Sequence, residues 1–187
     1  SFLGIMLGVA ILIIVMSVMN GFKTDLTKKI LGLNPHIVVQ SNGFRMENDY
    51  IEEVKNKVKS KNISKSYSGE GIIVSNENAK GIIIKGIDIK NENGLSFLKQ
   101  NKIEGDLKDF KEKSAFIGAE LAFNLNVKVG DNINLMSSAF LITPFGSLPK
   151  QDTFKVIGIF DTGFYEFDQN FIFLNLEDSL AMFDKET

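Results

Sequence analysis

The chain has 187 residues, a net charge of −2, a single histidine and no cysteine. About 150 residues follow an apolar N-terminal stretch, which is enough for one domain or two small lobes. The acidic balance argues against nucleic acid as a partner, because neutralising phosphates requires a basic face. The lack of cysteine excludes disulfides, thiol catalysis and thiolate metal sites within the chain.

An apolar segment opens the chain. No charged residue occurs between Ser1 and Phe22, and no polar stripe interrupts the run as it would in an amphipathic core helix. A helix of this length spans roughly 30 Å, the thickness of the hydrocarbon core of a bilayer. A secretory signal is disfavoured, because no small-x-small cleavage site follows. We therefore predict a transmembrane helix and stalk over residues 1–34, with the stalk ending near Leu31 and Gly32 close to its C-cap.

The charges beside this helix leave its orientation open. Lys23, Lys28 and Lys29 follow the apolar run, and positive charge favours the cytoplasmic side of a membrane. Large domains, however, cross the membrane largely regardless of nearby charge. The residues alone therefore do not decide on which side the rest of the chain lies.

The remaining residues predict an α+β fold of two lobes. A small α/β lobe is expected over residues 35–68 and 175–187, and a β-rich lobe over residues 69–174 is inserted into it. Periodicity places the strands and extended segments at residues 35–40, 63–68, 72–74, 81–87, 115–118, 132–136, 153–160 and 170–174. Helical segments are expected at residues 48–59, 95–98 and 119–125 and from residue 175 onward.

Three of the predicted helices have apolar faces that indicate how they pack. Asn48 and Asn175 are suitable N-caps for the first and the last of them, and Glu53 can pair with Lys57 one turn later. The predicted buried faces are Ile51, Val54 and Val58; Leu121, Ala122 and Leu125; and Leu176, Leu180 and Phe183.

The segment between the strands at 132–136 and 153–160 is unusual. It is too long for a tight hairpin, and it holds two of the chain's three prolines, which cannot lie in the interior of a sheet. Its large apolar residues are Phe140, Leu141, Phe145 and Leu148. One interpretation is a loop folded over the core with these side chains buried. The other is a protruding arm, residues 139–152, that offers apolar side chains to a partner.

The sequence offers little for catalysis. His36 follows a proline and is interpreted as structural, and residues 163–168 form an aromatic, acidic turn that we expect to pack against the lobe. No phosphate-binding loop of the Walker type is present, so any ATP hydrolysis would belong to another chain. The scattered acids without ligand spacing are Glu70, Asp88, Glu104 and Asp106.

Several motifs along the whole chain resemble the lipoprotein-releasing permeases of the LolC/LolE type. The more specific ones are Ser17–Phe22 (SVMNGF) and the Leu-Gly-x-x-Pro-His pattern within Ile30–His36. The Gly-Asp turn is shared with the wider superfamily of MacB-like and FtsX-like proteins. The remaining matching segments are Gly4–Val9, Gly86–Asp88, Ile117–Ala122, Val129–Asp131 and Gly158–Phe160.

This resemblance implies a bacterial inner-membrane permease with a MacB-like domain in the periplasm. Its implied partners are a second permease subunit, a cytoplasmic ATPase dimer that holds ATP and magnesium, a lipoprotein substrate, membrane lipid and a LolA-like periplasmic carrier. No cofactor is implied for this chain itself. In LolC-like members the arm hooks the carrier, and LolE-like members lack it, so the chain resembles the carrier-recruiting branch.

The resemblance also assigns roles to residues. The implied carrier-binding hook consists of Thr143, Pro144, Phe145, Gly146, Leu148, Pro149, Lys150 and Gln151. Ile11, Val15 and Met19 are candidates for lining a lipid-receiving cavity, with contact to bulk lipid or another helix as the alternative. Asp152 departs from the basic flank that is frequent in the LolC branch.

Other functions stay open at the level of sequence. A MacB-like permease for efflux or mechanotransmission would lack the proline-containing hook. An FtsX-like regulator of a cell-wall hydrolase would lack the SVMNGF motif. A membrane-anchored enzyme is the weakest alternative, because no catalytic constellation is present.

Overall fold

The computed structural model describes residues 2–33, 35, 37–40, 48–58, 63–75, 78–144 and 146–185. Contacts divide the chain into two compact units, Ser1–Gln40 and Ser41–Thr187. The architecture is α+β, with a long N-terminal apolar helix and a domain built on one mixed sheet, as the sequence predicts.

The first unit is dominated by a single helix, α1 (Phe2–Leu33). Its Phe2–Thr27 portion is long and apolar enough to cross a membrane, with a mean hydropathy of 2.8. Large apolar side chains along this portion are exposed. Such exposure is unfavourable in water and favourable in the hydrocarbon core of a bilayer. The helix continues through Gly32 to Leu33, slightly beyond the predicted end of the stalk.

The strand predicted at residues 35–40 does not form. Residues 37–40 have no regular secondary structure, and Ile37, Val38 and Val39 are exposed. A strand exists only where a neighbour accepts and donates its backbone hydrogen bonds, and the described residues offer none here. His36 lies outside the described residues.

The first described element of the second unit is α2 (Asn48–Val58), which matches the predicted helix closely. The predicted ion pair is present, with Lys57 Nζ 2.7 Å from Glu53 Oε1. Ile51 and Val54 are half-buried and Val58 is exposed, so the predicted face is only partly covered.

Seven strands form one sheet around the main core. They are β1 (Ser66–Ser75), β2 (Asn78–Ile87), β3 (Lys102–Gly105), β4 (Ser114–Gly118), β5 (Asn132–Thr143), β6 (Gly146–Phe160) and β7 (Phe171–Asn175). Their order is β3-β6-β4-β7-β2-β1-β5, and β5 also pairs with β6. Six strands therefore close into a ring, with β3 added at the edge of β6. The pairs β2–β7 and β4–β6 are parallel, and the others are antiparallel.

The predicted division into lobes at 68/69 and 174/175 stays a prediction. Both positions fall inside strands of this sheet, β1 and β7. Residues 63–65, predicted to be extended with residues 66–68, have no regular structure, and β1 begins at Ser66.

The ring encloses an aliphatic core, and a second cluster of phenylalanines lies outside it. Ile73, Ile84, Leu135 and Ile172 are fully buried in the main core. In the second cluster, Phe97 of α3 (Glu92–Asn101) contacts the rings of Phe160, Phe167 and Phe173, with centroids 5.1 to 6.0 Å apart. This second cluster accounts for several of the chain's 16 phenylalanines.

Helix α4 (Ala119–Leu125) buries Leu121, Ala122 and Leu125, which confirms the predicted face. The face predicted for the last helix, α6 (Leu176–Met182), is wrong in part. Leu176 and Leu180 are only half-buried, and Phe183 is buried just beyond the helix end. The residues of α6 that are buried are Asp178, Ser179 and Met182.

Polar side chains can occupy the buried face of α6 because each has a partner. Asp178 accepts a hydrogen bond from the backbone N–H of Lys113 at 2.8 Å, and the Ser179 hydroxyl donates to the Leu176 carbonyl at 2.8 Å. A buried polar group is costly only when it is left without such a bond.

Asp168, at the end of α5 (Tyr165–Asp168), is almost fully buried in the turn that the sequence marks as packing. Its carboxylate accepts hydrogen bonds from the backbone N–H of Thr162 at 3.1 Å and from its hydroxyl at 2.8 Å. Burial raises the pKa of Asp168 above its ordinary value, the Thr162 hydrogen bonds oppose this, and neighbouring Asp161 adds to it.

The raised pKa of Asp168 predicts a pH-dependent stability. The folded state binds a proton at Asp168 more readily than the unfolded chain does. The protonated carboxyl therefore adds to the stability as the pH falls through the raised pKa of the folded state toward the unfolded pKa of about 4. In Asp168→Asn this contribution is absent. Lowering the pH from neutral toward the unfolded pKa is therefore expected to shift the difference in free energy of unfolding in favour of the wild type. Thermal unfolding of both proteins across this range measures it, and a pH-independent difference contradicts the prediction.

Candidate functional site

The arm is the extension of the β5–β6 hairpin beyond the ring. Phe140 pairs with Pro149, Leu141 with Leu148, Ile142 with Ser147, and Thr143 with Gly146. The sequence-based expectation of a segment too long for a tight hairpin is wrong, because both strands simply continue to a short turn.

The residues at the tip of the arm favour a tight turn. Pro144 lies exposed at the turn, and Gly146 has a φ of +127°, a conformation that favours glycine. Phe145, the central residue of the predicted hook, lies outside the described residues.

Both sides of the arm carry exposed apolar side chains. Residues directly opposite in a hairpin point to the same side, and the side alternates along each strand. Phe140, Ile142 and Pro149 therefore share one side, and Leu141 and Leu148 share the other. Ile142 is 91% exposed, and Phe140, Leu148 and Leu141 are 62%, 59% and 47% exposed. The interpretation as a loop tucked over the core is thus wrong.

The arm also has two open backbone edges within the described chain. β5 pairs with β1 only from Asn134 to Ser137, and β6 pairs with β4 only from Lys155 onward. A two-stranded ribbon without a covered face is at most marginally stable in water. Apolar sides and open edges together are typical of a surface that is completed by a partner.

Polar contacts hold the base of the arm. Lys150, half-buried, has its ammonium 3.3 Å from Asp184 Oδ1, beyond the end of α6. Asp152, the departure noted in the sequence, forms an ion pair with Lys113, whose ammonium also lies 5.3 Å from the centre of the Phe154 ring. Asp152 thus has a partner within the domain. Gln151 is exposed beside these two residues.

Sequence reasoning missed the contribution of Ser137. Its hydroxyl is buried and donates to the Met182 carbonyl at 2.7 Å. The local sequence does not show with which residue Ser137 pairs, because Met182 is distant along the chain. A serine at the outset of an otherwise apolar segment was the only available signal.

The candidate lipid-contacting residues lie on α1. Ile11, Val15 and Met19 recur at intervals of four and so share one face of the helix. Each is exposed by more than half, but so is Ile13 on the opposite face, at 59%. The structure therefore does not distinguish this face from the rest of the helix.

Two of the four scattered acids, Asp88 and Asp106, have local structural roles. Asp106 caps the short 3-10 turn at Leu107–Asp109 by accepting from the N–H of Lys108, and Asp88 accepts from the N–H of Lys90. Within the described part of the chain, no group of three or more acids or histidines is placed to hold a metal ion.

The fold and the apolar helix define the class of this protein. It belongs to the family of MacB-like periplasmic core domains, which matches residues 1–186. The similar solved structure of the extracellular domain of a noncanonic ABC-type transporter, YknZ, from Gram-positive bacteria has a TM-score of 0.52 at 15% identity. The match covers 75% of this chain and 67% of the YknZ chain, and the similarity concerns the fold alone.

Two similar proteins indicate which type of transporter subunit the chain resembles. The lipoprotein-releasing system transmembrane protein LolC of Xylella fastidiosa (strain Temecula1 / ATCC 700964) is 30% identical over 182 residues, which are 95% of this chain and 44% of that protein. LolE of Haemophilus influenzae (strain ATCC 51907 / DSM 11121 / KW20 / Rd) is 31% identical over 145 residues, 74% of this chain and 35% of that protein. The resemblance to LolC/LolE-type permeases is thereby confirmed. The chain spans less than half the length of these relatives, and like them it is a membrane protein.

Proposed function

We propose that this chain is part of a permease subunit of an ABC transporter that extracts lipoproteins from the bacterial inner membrane and delivers them to a periplasmic carrier. In this proposal α1 crosses the inner membrane and the β domain lies in the periplasm. The observation that carries the proposal is the arm, whose two sides expose apolar side chains. The similarity to proteins named for lipoprotein release supplies the context.

The energetics of release require further partners. Exposing acyl chains to water costs about 0.8 kcal/mol per CH₂, so several chains cost tens of kcal/mol. We assign this work to a cytoplasmic ATPase dimer that binds ATP and magnesium, acting on this non-catalytic chain and a second permease subunit. Ile11, Val15 and Met19 are proposed to line the lipid path between membrane helices, where flexible methionine suits variable acyl chains.

The arm is proposed to be the docking element for a LolA-like carrier. Burying one leucine or isoleucine side chain is worth about 1.5–3 kcal/mol, and the entropy lost on association offsets part of this gain. Several such contacts together are therefore expected to give a reversible complex. The polar residues Lys150 and Gln151 flank the apolar tip and would set the register of the contact. The remaining members of the proposed docking set are Thr143, Pro144, Phe145, Gly146, Leu148 and Pro149.

Binding of the purified carrier to this chain in lipid nanodiscs tests the proposal. Ile142→Asp places a charge on one side of the arm, and Leu148→Asp places a charge on the other side. Each variant is expected to weaken binding at least about tenfold. Pro144→Ala and Phe145→Ala should weaken it as well. Phe123→Asp is the matched control, because Phe123 is 82% exposed on α4, outside the arm.

Each outcome has a consequence. Loss of binding in the arm variants, with unchanged circular dichroism and intact binding by the Phe123 control, supports the carrier-docking function. A wild-type chain that does not bind the carrier contradicts it and favours a LolE-like partner role or a MacB-like efflux permease. Equal losses in the arm variants and the control would show a non-specific effect of charge and would also contradict the proposal.

A further inference from the structure

The arm leaves the ring through a bulge in β5. Met136 pairs with Gln151 and Phe140 pairs with Pro149, so three residues of β5 lie opposite the single residue Lys150. Extra residues on one strand of a hairpin bend it and increase its twist, and they re-aim whatever lies beyond. The direction of the arm is therefore set at residues 137–139.

One buried hydroxyl holds this bulge from two sides. The Ser137 oxygen accepts a hydrogen bond from the backbone N–H of Ala139 at 3.2 Å, which closes the bulge upon itself. The same hydroxyl donates to the carbonyl of Met182 at 2.7 Å, which ties the bulge to the C-terminal end of α6. Ser137 is 5% exposed, so water does not compete effectively for either bond.

The end of α6 is a firm anchor for this contact. Met182 and Phe183 are buried, and the ring of Phe183 lies 5.2 Å from that of Tyr67 in β1. The carbonyl of Met182 belongs to the last turn of the helix, where carbonyls lack partners within the helix. The Ser137 hydroxyl thus supplies a partner that this carbonyl needs.

A second, weaker contact lies across the bulge. Lys150 is the residue opposite the extra residues, and its ammonium is 3.3 Å from the carboxylate of Asp184. Asp184 is 77% exposed, and such exposed ion pairs contribute little because solvent screens them. The buried hydroxyl bond of Ser137 is therefore the stronger of the two ties between the arm and α6.

We propose that Ser137 is a positioning residue for carrier docking: by fixing the bulge to the end of α6, its hydroxyl sets the direction in which the arm is presented. This inference rests on the proposed function of the arm. It adds that affinity depends on a residue that the carrier does not touch, because a misdirected arm must be reoriented at a cost before it can bind.

The direction of the arm can be measured without any carrier. The chain has no cysteine, so pairs of introduced cysteines can be spin-labelled without background. Ser147→Cys marks the arm and Lys128→Cys marks the body of the domain, and both positions are exposed. The distance distribution between the two labels reports the orientation of the arm in the folded protein.

The expected result is a narrow distribution in the otherwise unchanged protein and a broadened or displaced one in Ser137→Ala. Ser75→Ala is the control, because Ser75 is also a buried serine of this sheet, 7% exposed, but lies outside the arm and its base. Ser137→Thr, which keeps the hydroxyl, should restore the narrow distribution. In the unlabelled protein Ser137→Ala should weaken carrier binding about tenfold, while Ser75→Ala should not.

The outcomes separate this inference from the function on which it rests. An unchanged distance distribution in folded Ser137→Ala overturns the positioning role, whatever the carrier does. Should Ser137→Ala fail to fold, Ser137→Val removes the same hydroxyl while matching the shape of Ser137→Thr, and a narrow, unchanged distribution in folded Ser137→Val overturns the positioning role equally. A wild-type chain that does not bind the carrier overturns the docking function, while the distance measurement still decides whether Ser137 directs the arm.

Discussion

Replacing residues 141–148 by Asn-Gly is expected to weaken carrier binding at least about 100-fold. The stability of the domain is expected to stay within about 1 kcal/mol of the wild type. The replacement joins position 140 to position 149, which already face each other, with a two-residue turn of a type that suits hairpins. The same variant carries Pro149→Thr, because proline lacks the backbone N–H that closes such a turn. It removes Leu141, Ile142 and Leu148, which together offer several kcal/mol of apolar contact to a partner.

The stability is expected to survive because the removed residues pair only with each other. None of their described side chains is buried, and the ring is closed by β5 and β6 residues nearer to the body of the domain. Thermal unfolding and carrier titration of the same preparation measure both effects. A truncated protein that melts many degrees lower would show that the arm supports the fold, and retained carrier binding would remove the arm from the docking surface.

Gly118→Ala is expected to destabilise the domain by about 3 kcal/mol or to prevent folding. Gly118 joins β4 to α4 with a φ of −68°, which any residue can adopt, so the reason is space and not conformation. A Cβ at this position would lie 1.9 Å from the backbone carbonyl oxygen of Asp168. A backbone atom cannot rotate away as a side chain can, so β4 and α5 would have to separate.

Gly81→Ala is the matched control for this substitution. Gly81 also lies in the sheet, in β2, but a Cβ there would meet no atom within 4 Å. Its replacement is expected to be neutral or slightly stabilising, because alanine restricts the unfolded chain more than glycine does. A loss of about 3 kcal/mol in a domain of this size lowers the melting temperature by about 6–12 °C. Equal melting temperatures for the two variants would contradict the steric argument.

Local periodicity was enough to predict much of the domain. Residues 153–160 alternate between inward and outward side chains, and the structure has them in β6 with Phe154 and Val156 buried. Residues 119–125 place three apolar side chains on one helical face, and α4 buries those three. In both places the pattern along the chain and the side facing the core coincide, so no knowledge of distant residues was needed.

The prediction failed where a distant partner decides the outcome. Asp178 lies outside the face that was predicted to be buried in the last helix, yet it is buried because its hydrogen-bond partner, the backbone N–H of Lys113, is brought to it only by folding. Residues 37–40 have strand propensity but lack a neighbouring strand among the described residues. Strand propensity is a property of single residues, whereas a sheet forms only where two strands pair.

The candidate site was predicted in location but not in form. Prolines and large apolar residues marked the arm, and the structure shows most of these side chains exposed. The pairing register, the bulge and the Ser137–Met182 contact were not predictable, because they arise from the meeting of β5, β6 and α6. Alternation within the arm also could not reveal a buried side, since neither side is buried.

The position of β7 in the ring constrains the order in which this domain can be made. The hairpins β1–β2 and β5–β6 join neighbours in sequence and can form as soon as their residues are available. β2 and β4, however, do not pair with each other, and β7, which lies between them, follows both of them in the chain. A nascent chain synthesised from its N-terminus therefore exposes one open edge on β2 and one on β4 until residues 171–175 have been made. Closure of the ring waits for β7, and until then these two edges are available for pairing with other chains.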